Sequence, residues 1–149
     1  LLEQISEVCG PGGGLLIGID LQKDPLIIEA AYNDDAGVTA EFNLNLLHRI
    51  NRELDASIDV AAFEHRAVYQ QDRGRVVLSL VSTEENAVVV GDERIEFQRG
   101  ETIRTEYSHK YTIPQFESLA ALAGMEIHRV WTDPREWFAV VHCAVADAG

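Results

Sequence analysis

A nearly continuous apolar run at Leu15–Leu21 constrains the fold more than any other feature of the sequence. A strand with one face in water alternates apolar and polar residues, whereas an unbroken run is typical of a strand buried on both faces of a parallel sheet. Its one charged residue, Asp20, stands near the C-terminal end of the predicted strand, where open α/β sheets bind ligands. The run therefore predicts an α/β fold.

The segments on either side of this strand carry helical signals. Residues 1–9 have the apolar spacing of a helix, and Gly10 is placed to end it. Asp24 followed by Pro25 predicts the start of a short helix that runs to about Tyr32. A longer helix is expected to end near Leu54, with an apolar stripe made of Phe42, Leu46, Leu47, Ile50 and Leu54.

The middle of the chain changes to strand composition. Residues 63–70 and 76–81 flank a turn-like segment, residues 87–97 have the pattern of a hairpin, and a further strand is expected at about 102–107. Together they predict an antiparallel meander of four or five strands. The last forty residues return to an α/β pattern, with a helix that begins at Thr112 and two closing strands.

The charge balance excludes several classes of partner. The 149 residues include 12 Lys+Arg and 25 Asp+Glu, which gives a formal net charge of −13. Because such a chain repels phosphate backbones and anionic lipids, we expect it to bind neither nucleic acid nor a membrane. Its two cysteines form no CxxC pair, which fits a reducing cytoplasm. The chain opens on Leu1 inside a predicted helix, so we expect a piece of a longer protein.

Two motifs that invite a cofactor or metal hypothesis are weak. The glycines at 12–14 precede a strand, whereas phosphate-binding glycines follow a strand and open a helix, so they predict a connecting loop. The five histidines lack metal-ligand spacing, and we predict no metal site. Among them, His65 and His109 are expected to be ordinary paired or surface residues.

The strongest polar cluster lies in the last predicted strand of the middle block. Glu106 and Ser108 face the same way there, because alternate residues of a strand share a face. A carboxylate and a hydroxyl at this spacing could hold a ring with N–H groups, such as an imidazole. The same pattern also fits a solvated sheet face. Tyr32, followed by polar residues at a predicted helix end, is a second candidate, although a tyrosine in this position more often packs against the helix end.

Four stretches together resemble one family. Leu15–Leu21 with the following Lys-Asp-Pro is similar to its LLIGxDLxKD strand, and Ala31–Asn43 is similar to its AYxDxxGVTAxFN segment. Glu101–Tyr111 resembles its GExxxTExSxKY strand, and Trp131–Pro134 its WTDP motif. The family is that of the ergothioneine-pathway L-histidine Nα-methyltransferases, with the fungal dimethylallyltryptophan N-methyltransferases as relatives. The resemblance runs through essentially the whole chain.

The resemblance implies an architecture. Residues 1–23 and 111–149 would be part of a Rossmann-like methyltransferase core that uses S-adenosylmethionine. Residues 24–110 would be an antiparallel α+β substrate-binding domain inserted into that core. The cofactor-binding residues would lie upstream of Leu1, so none is assigned, and no catalytic residue is named. A partial sheet of this kind is expected to self-associate through an exposed edge.

The resemblance also implies roles for three residues. Tyr32 matches the tyrosine that hydrogen-bonds the carboxylate of the substrate histidine, and Glu106 and Ser108 match the pair that contacts its imidazole. The implied reaction is methyl transfer to the α-amine of L-histidine, giving hercynine, and the chain alone is expected to be inactive. Two alternatives stay open: a non-catalytic small-molecule binding module, and a relative that methylates another amino acid such as a tryptophan derivative.

Overall fold

The chain forms two compact units in the structure, a computed structural model that describes residues 1–146. The first unit contains Leu1–Lys23 and the chain from His109 onward, and the second contains Asp24–Ser108. In chain order the elements are α1 (Leu2–Cys9), β1 (Gly14–Asp20), α2 (Pro25–Tyr32), α3 (Val38–Glu53), β2 (Phe63–Gln70), β3 (Arg75–Ser82), β4 (Asn86–Val90), β5 (Glu93–Phe97), β6 (Thr102–His109), α4 (Ile113–Leu122), β7 (Met125–Thr132) and β8 (Phe138–Val145).

Local signals place the helix boundaries correctly. The Asp24 carboxylate accepts a hydrogen bond from the Leu26 backbone N–H at 2.9 Å and so caps α2. Thr112 and Gln115 form a capping box at the start of α4. Gly10 ends α1 with φ of 67°, a conformation that favours glycine. These three predictions are confirmed. In residues 1–146 no helix combines the length and apolarity needed to cross a membrane.

The sheet of the first unit is antiparallel in the described residues, with strand order β1-β8-β7. The predicted burial of β1 on both faces is wrong. Helices α1 and α4 contribute to the core on the face that carries the buried Ile19, whereas Leu16 on the opposite face is 66% exposed. In the part of the first unit that the structure describes, parallel pairing is limited to one bridge, Leu21 to Tyr111. Next to this bridge the Gln22 N–H donates to the Tyr111 carbonyl.

The five strands of the second unit form two sheets, so the single predicted meander is wrong. Strands β2, β3 and β6 make one sheet in that order, and β4 and β5 form a separate hairpin. The hairpin contributes Val88 and Phe97 to an apolar cluster with Leu47 and Phe63, and the two phenylalanine rings meet edge to face at 5.4 Å. Burial of these apolar side chains in the cluster explains why β4 and β5 form a sheet of their own and do not join the β2-β3-β6 sheet.

The buried face of α3 differs from the predicted stripe. Leu47 is buried in the core, as expected, but Phe42 is 70% exposed and Leu54 is also exposed. The buried side chains are Asn43 and Leu47, which lie one turn apart. Because successive helical residues are rotated by about 100°, a face centred on Asn43 turns Phe42 toward solvent. A polar residue therefore occupies the position that the sequence pattern assigns to an apolar one.

We expect the chain 1–149 to self-associate through β1, which forms one edge of its sheet in the described residues. An edge strand offers unpaired backbone N–H and C=O groups, and the exposed Leu16 beside them adds apolar surface. Leu16→Lys should weaken the association, whereas Leu122→Lys, at an exposed position on α4, should not. Light scattering over a range of concentrations measures this. A monomer at all concentrations would contradict the prediction.

Candidate substrate-binding site

The structure brings two of the three predicted site residues into direct contact. The Tyr32 hydroxyl, at the C-terminal end of α2, lies 2.7 Å from Ser108 Oγ on β6, and either atom can donate. Both side chains are half-buried. The pair thus offers hydroxyl groups that both donate and accept hydrogen bonds, which suits a ligand carboxylate or an N–H-bearing ring.

The end of α2 that carries Tyr32 is fixed to strand β2 by side chains. Asn33 Nδ2 donates to the Ala67 carbonyl at 3.0 Å, and the Ala67 N–H donates to Asn33 Oδ1 at 3.2 Å. One turn earlier, Glu29 accepts from the Tyr69 N–H at 3.0 Å. These contacts satisfy backbone groups along the outer edge of β2, which would otherwise lack a strand partner. They also fix the position of the helix end.

Glu106 lines a separate pocket of about 180 Å³ next to α3, together with Asn43 and Arg49. In residues 1–146 its carboxylate has no hydrogen-bond or ion-pair partner. By contrast, the Arg49 guanidinium is already paired with Glu53 at 3.2 Å. Pockets for drug-sized ligands hold roughly 300–1,000 Å³, so this one suits a small group. The exposed Glu106 carboxylate is therefore open to accept a hydrogen bond at this pocket.

Asp34, between α2 and α3, is a residue that the sequence analysis did not single out. Its carboxylate accepts hydrogen bonds from the Thr39 N–H at 3.0 Å and the Val38 N–H at 2.9 Å, both in the first turn of α3. These hydrogen bonds lower the pKa of Asp34 from 3.8 to about 2, and the bond from the Thr39 backbone has the largest effect. Asp34 therefore fixes the loop that follows Tyr32 to the start of α3.

We expect the effect of Asp34→Ala on stability to depend on pH. Because the folded-state pKa lies below the unfolded one, the contribution of Asp34 is fully present above about pH 4 and is lost as pH falls through about 2. The urea midpoint of Asp34→Ala should therefore lie below that of the parent at pH 6, and the gap should close toward pH 2. Asp35→Ala, at an exposed neighbour, is the control. A gap that does not change with pH would contradict this assignment.

Asp20 does not fit a cofactor-binding role. Its carboxylate pairs with the buried ammonium of Lys110 at 2.9 Å and also with that of Lys23. Burial alone would raise the pKa of Asp20, but the hydrogen bonds and charges of Lys110 and Lys23 outweigh it and lower the pKa. Both oxygens are thus already engaged with cations. The structure therefore gives Asp20 a role in ion pairs at this end of β1.

The glycine loop does not fit a nucleotide-binding turn either. Residues 10–14 connect α1 to β1, so the glycines precede the strand, as predicted. In the part of the chain that the structure describes, no group of three or more His, Cys, Asp or Glu side chains could hold a metal ion. We assign no described residue to S-adenosylmethionine.

Comparison with known proteins decides the family. Residues 1–145 match the model of the SAM-dependent, histidine-specific methyltransferases. The chain belongs to this family. Over 134 residues it is 40% identical to the histidine N-alpha-methyltransferase of Mycobacterium tuberculosis, a match that covers 89% of this chain and 42% of that protein. The corresponding protein of Mycolicibacterium smegmatis is 39% identical over 135 residues, again 89% and 42% of the two chains.

A fungal relative extends the comparison. The ergothioneine biosynthesis protein 1 of Neurospora crassa is 31% identical over 140 residues, which is 91% of this chain and 15% of that protein. This chain thus spans about two fifths of the length of the bacterial relatives and less of the fungal one. The resemblance to ergothioneine-pathway methyltransferases that the sequence motifs predicted is confirmed.

Sequence analysis did not connect two further side chains with the candidate site: Asn43, which lines the pocket of Glu106, and His65, which contacts the Tyr32 carbonyl. Asn43 closes the AYxDxxGVTAxFN motif, and its burial in the middle of an amphipathic helix is unusual for an amide. The amide at the end of this motif was the sequence signal that could have identified Asn43. His65 was predicted to be an ordinary paired or surface histidine, and the structure shows it hydrogen-bonded through both ring nitrogens.

Proposed function

We propose that the protein carrying this chain is an S-adenosylmethionine-dependent methyltransferase that methylates the α-amino group of L-histidine and gives hercynine, a step of ergothioneine biosynthesis. Its membership of the histidine-specific family supports the reaction. The observation that carries the substrate is the unpartnered Glu106 carboxylate, two residues from Ser108 on β6. An anionic acceptor favours an N–H-bearing ring over an apolar one.

Each of the three site residues has a proposed role in binding. The Tyr32 hydroxyl donates to the carboxylate of the amino acid, and Glu106 accepts a hydrogen bond from an imidazole N–H. Ser108 contacts the ring beside Glu106. In the free protein Tyr32 and Ser108 bond each other at 2.7 Å, so a bound amino acid would replace that contact. Both hydroxyls then exchange one hydrogen bond for another, and neither is left unpaired.

The contribution of this chain to catalysis is to hold the amino acid. The bound cofactor would supply an activated methyl group. Because histidine is bound at both its carboxylate and its ring, these two contacts orient the α-amine, which is itself not bound. Positioning of this kind reduces the entropy lost on the way to the transition state. Because no acid or base is assigned, Tyr32, Glu106 and Ser108 act as binding residues.

We also propose that the two units have different tasks. Residues 1–23 and 111–149 form part of a Rossmann-like methyltransferase core, and residues 24–110 form the substrate-binding domain inserted into it. The candidate residues support this division, because Tyr32, Glu106 and Ser108 all belong to the second compact unit. A sheet that continues past β1 in the complete core would pair the backbone N–H and C=O groups of this edge.

The proposed role of Tyr32 is tested with Tyr32→Phe in the protein that carries this chain. We expect its affinity to fall for every amino acid alike, since all share the carboxylate. Because the hydroxyl only exchanges Ser108 for the ligand, the loss should be about 0.5–1.5 kcal/mol, or roughly two- to tenfold. Calorimetric titration with histidine and tryptophan measures it, and Tyr107→Phe is the control. An unchanged affinity for both ligands would contradict the proposal.

A further inference from the structure

Two polar side chains of the second unit, the buried Asn43 and the half-buried His65, are hydrogen-bonded to each other. On β2, His65 stands between Phe63, which belongs to one cluster, and Ala67, which belongs to the other. Asn43 is only 4% exposed. Burying an amide and an imidazole costs free energy unless their hydrogen bonds are made. We therefore expect each hydrogen bond of the pair to have a defined donor and a defined acceptor.

The contacts of Asn43 fix the tautomer of His65. Asn43 Nδ2 donates to the Ser79 carbonyl at 3.1 Å and lies 2.9 Å from His65 Nδ1. A flipped amide would turn its oxygen toward that carbonyl, so the nitrogen must occupy this position. His65 Nδ1 consequently accepts a hydrogen bond, and the proton of the neutral ring lies on Nε2.

The proton on Nε2 is directed at the backbone of the candidate site. His65 Nε2 lies 2.8 Å from the carbonyl oxygen of Tyr32 and donates to it. Tyr32 is the last residue of α2, and the final carbonyls of a helix lack partners within the helix. A continuous series of hydrogen bonds therefore runs from the Ser79 carbonyl through Asn43 and His65 to Tyr32.

We propose that His65, held in one tautomer by Asn43, is a positioning residue that sets where the Tyr32 hydroxyl meets the substrate. This inference rests on the proposed function, in which Tyr32 binds the carboxylate of the amino acid. Asn33 and Glu29 fix the helix end to β2, whereas His65 bonds the backbone carbonyl of Tyr32 itself. Loss of this bond leaves the hydroxyl free to move relative to Ser108.

Two substitutions separate the bonds that His65 makes. In His65→Gln the side-chain amide nitrogen takes the place of Nε2, so the donor to Tyr32 is kept. In His65→Asn the shorter side chain takes the place of Nδ1, so the contact to Asn43 is kept and the donor is lost. His48→Asn, at an exposed position on α3, is the matched control.

The readout is steady-state kinetics of the protein that carries this chain, with histidine as the varied substrate. Because the carboxylate contact exists before and during reaction, losing its precise position should raise KM and leave kcat nearly unchanged. We expect His65→Asn to raise KM roughly three- to tenfold, and His65→Gln and His48→Asn to stay near the parent. In a Tyr32→Phe background, which lacks the hydroxyl, His65→Asn should add little further change.

The outcomes distinguish the two levels of the proposal. If Tyr32→Phe itself leaves KM unchanged, the proposed role of Tyr32 fails, and the inference fails with it. If Tyr32→Phe raises KM but His65→Asn raises it equally in both backgrounds, His65 acts on the fold and the positioning role is overturned. If His65→Asn does not fold, the folded His65→Gln variant decides. A raised KM in this variant overturns the inference, and a KM close to that of the parent supports it. Thermal unfolding of each variant shows which case applies.

Discussion

Glu106→Ala in the protein that carries this chain is expected to narrow the preference for histidine over tryptophan by roughly 10- to 150-fold. The reason is the free carboxylate: a hydrogen bond that it accepts from an imidazole N–H is charge-assisted, and such bonds contribute about 1.5–3 kcal/mol. Tyr32→Phe is expected to change this preference less, because it lowers the affinity for both ligands alike. Glu106→Ala should weaken histidine binding and leave tryptophan binding nearly unchanged.

Calorimetric titration of both amino acids against three variants tests this expectation. Glu106→Gln keeps an acceptor oxygen but removes the charge, so its preference should fall between those of the parent and Glu106→Ala. Glu117→Ala removes an exposed carboxylate on α4 and should leave the preference unchanged. If Glu106→Ala left the ratio of the two affinities as it is in the parent, Glu106 would be a solvated residue of the sheet surface.

Lys110→Met is expected to lower the free energy of unfolding by about 2–4 kcal/mol. The Lys110 side chain is 1% exposed and its ammonium pairs with Asp20, whose side chain is 31% exposed. Breaking a buried pair by removing one partner typically costs about 3–5 kcal/mol. We expect a cost at or somewhat below the lower end of that range, because Asp20 keeps Lys23 and some contact with water.

Arg49→Met provides the matched comparison, since it removes an ion pair with Glu53 in which both side chains are at least half exposed. Exposed pairs contribute about 0–1 kcal/mol, so this variant should unfold close to the parent in urea. Equal destabilisation of Lys110→Met and Arg49→Met would mean that the buried pair with Asp20 adds nothing beyond a surface contact.

The helix boundaries could be predicted because their causes are local. Asp24 caps α2 from one residue before the helix, and the capping box of α4 joins Thr112 to a residue three positions on. The strand segments were also correct, because strand composition and turns are short-range signals. In each case the residues that determine the structure lie within one or two turns of the element that they define.

The strand pairing and the buried face of α3 depend on distant contacts and could not be predicted in this way. The β4–β5 hairpin leaves the neighbouring sheet because Phe97 packs on Phe63, more than thirty positions away in sequence. Apolar periodicity assigned the α3 interior to leucines and Phe42, whereas the fold places Asn43 there to bond His65 and Ser79. No local pattern encodes these partners.

The candidate site shows the same limit. Strand alternation put Glu106 and Ser108 on one face, but nothing in the spacing of the chain joined Ser108 to Tyr32, 76 positions earlier. The family resemblance associated these two residues, and in the structure their hydroxyl oxygens lie 2.7 Å apart. The roles of the three residues toward histidine remain proposals that the binding experiments above can test.

The bridge between Leu21 and Tyr111 bears on how substrate preference can change in this family. Tyr111 donates to the Asp20 carbonyl and accepts from Gln22, so the two points where the chain leaves and re-enters the first unit are neighbours. A segment whose ends are adjacent can be replaced by another of different length without moving its anchor points. Exchange of residues 24–108 as one cassette would then carry Tyr32, Glu106 and Ser108 together, so that the proposed recognition of the amino acid would be inherited as a module.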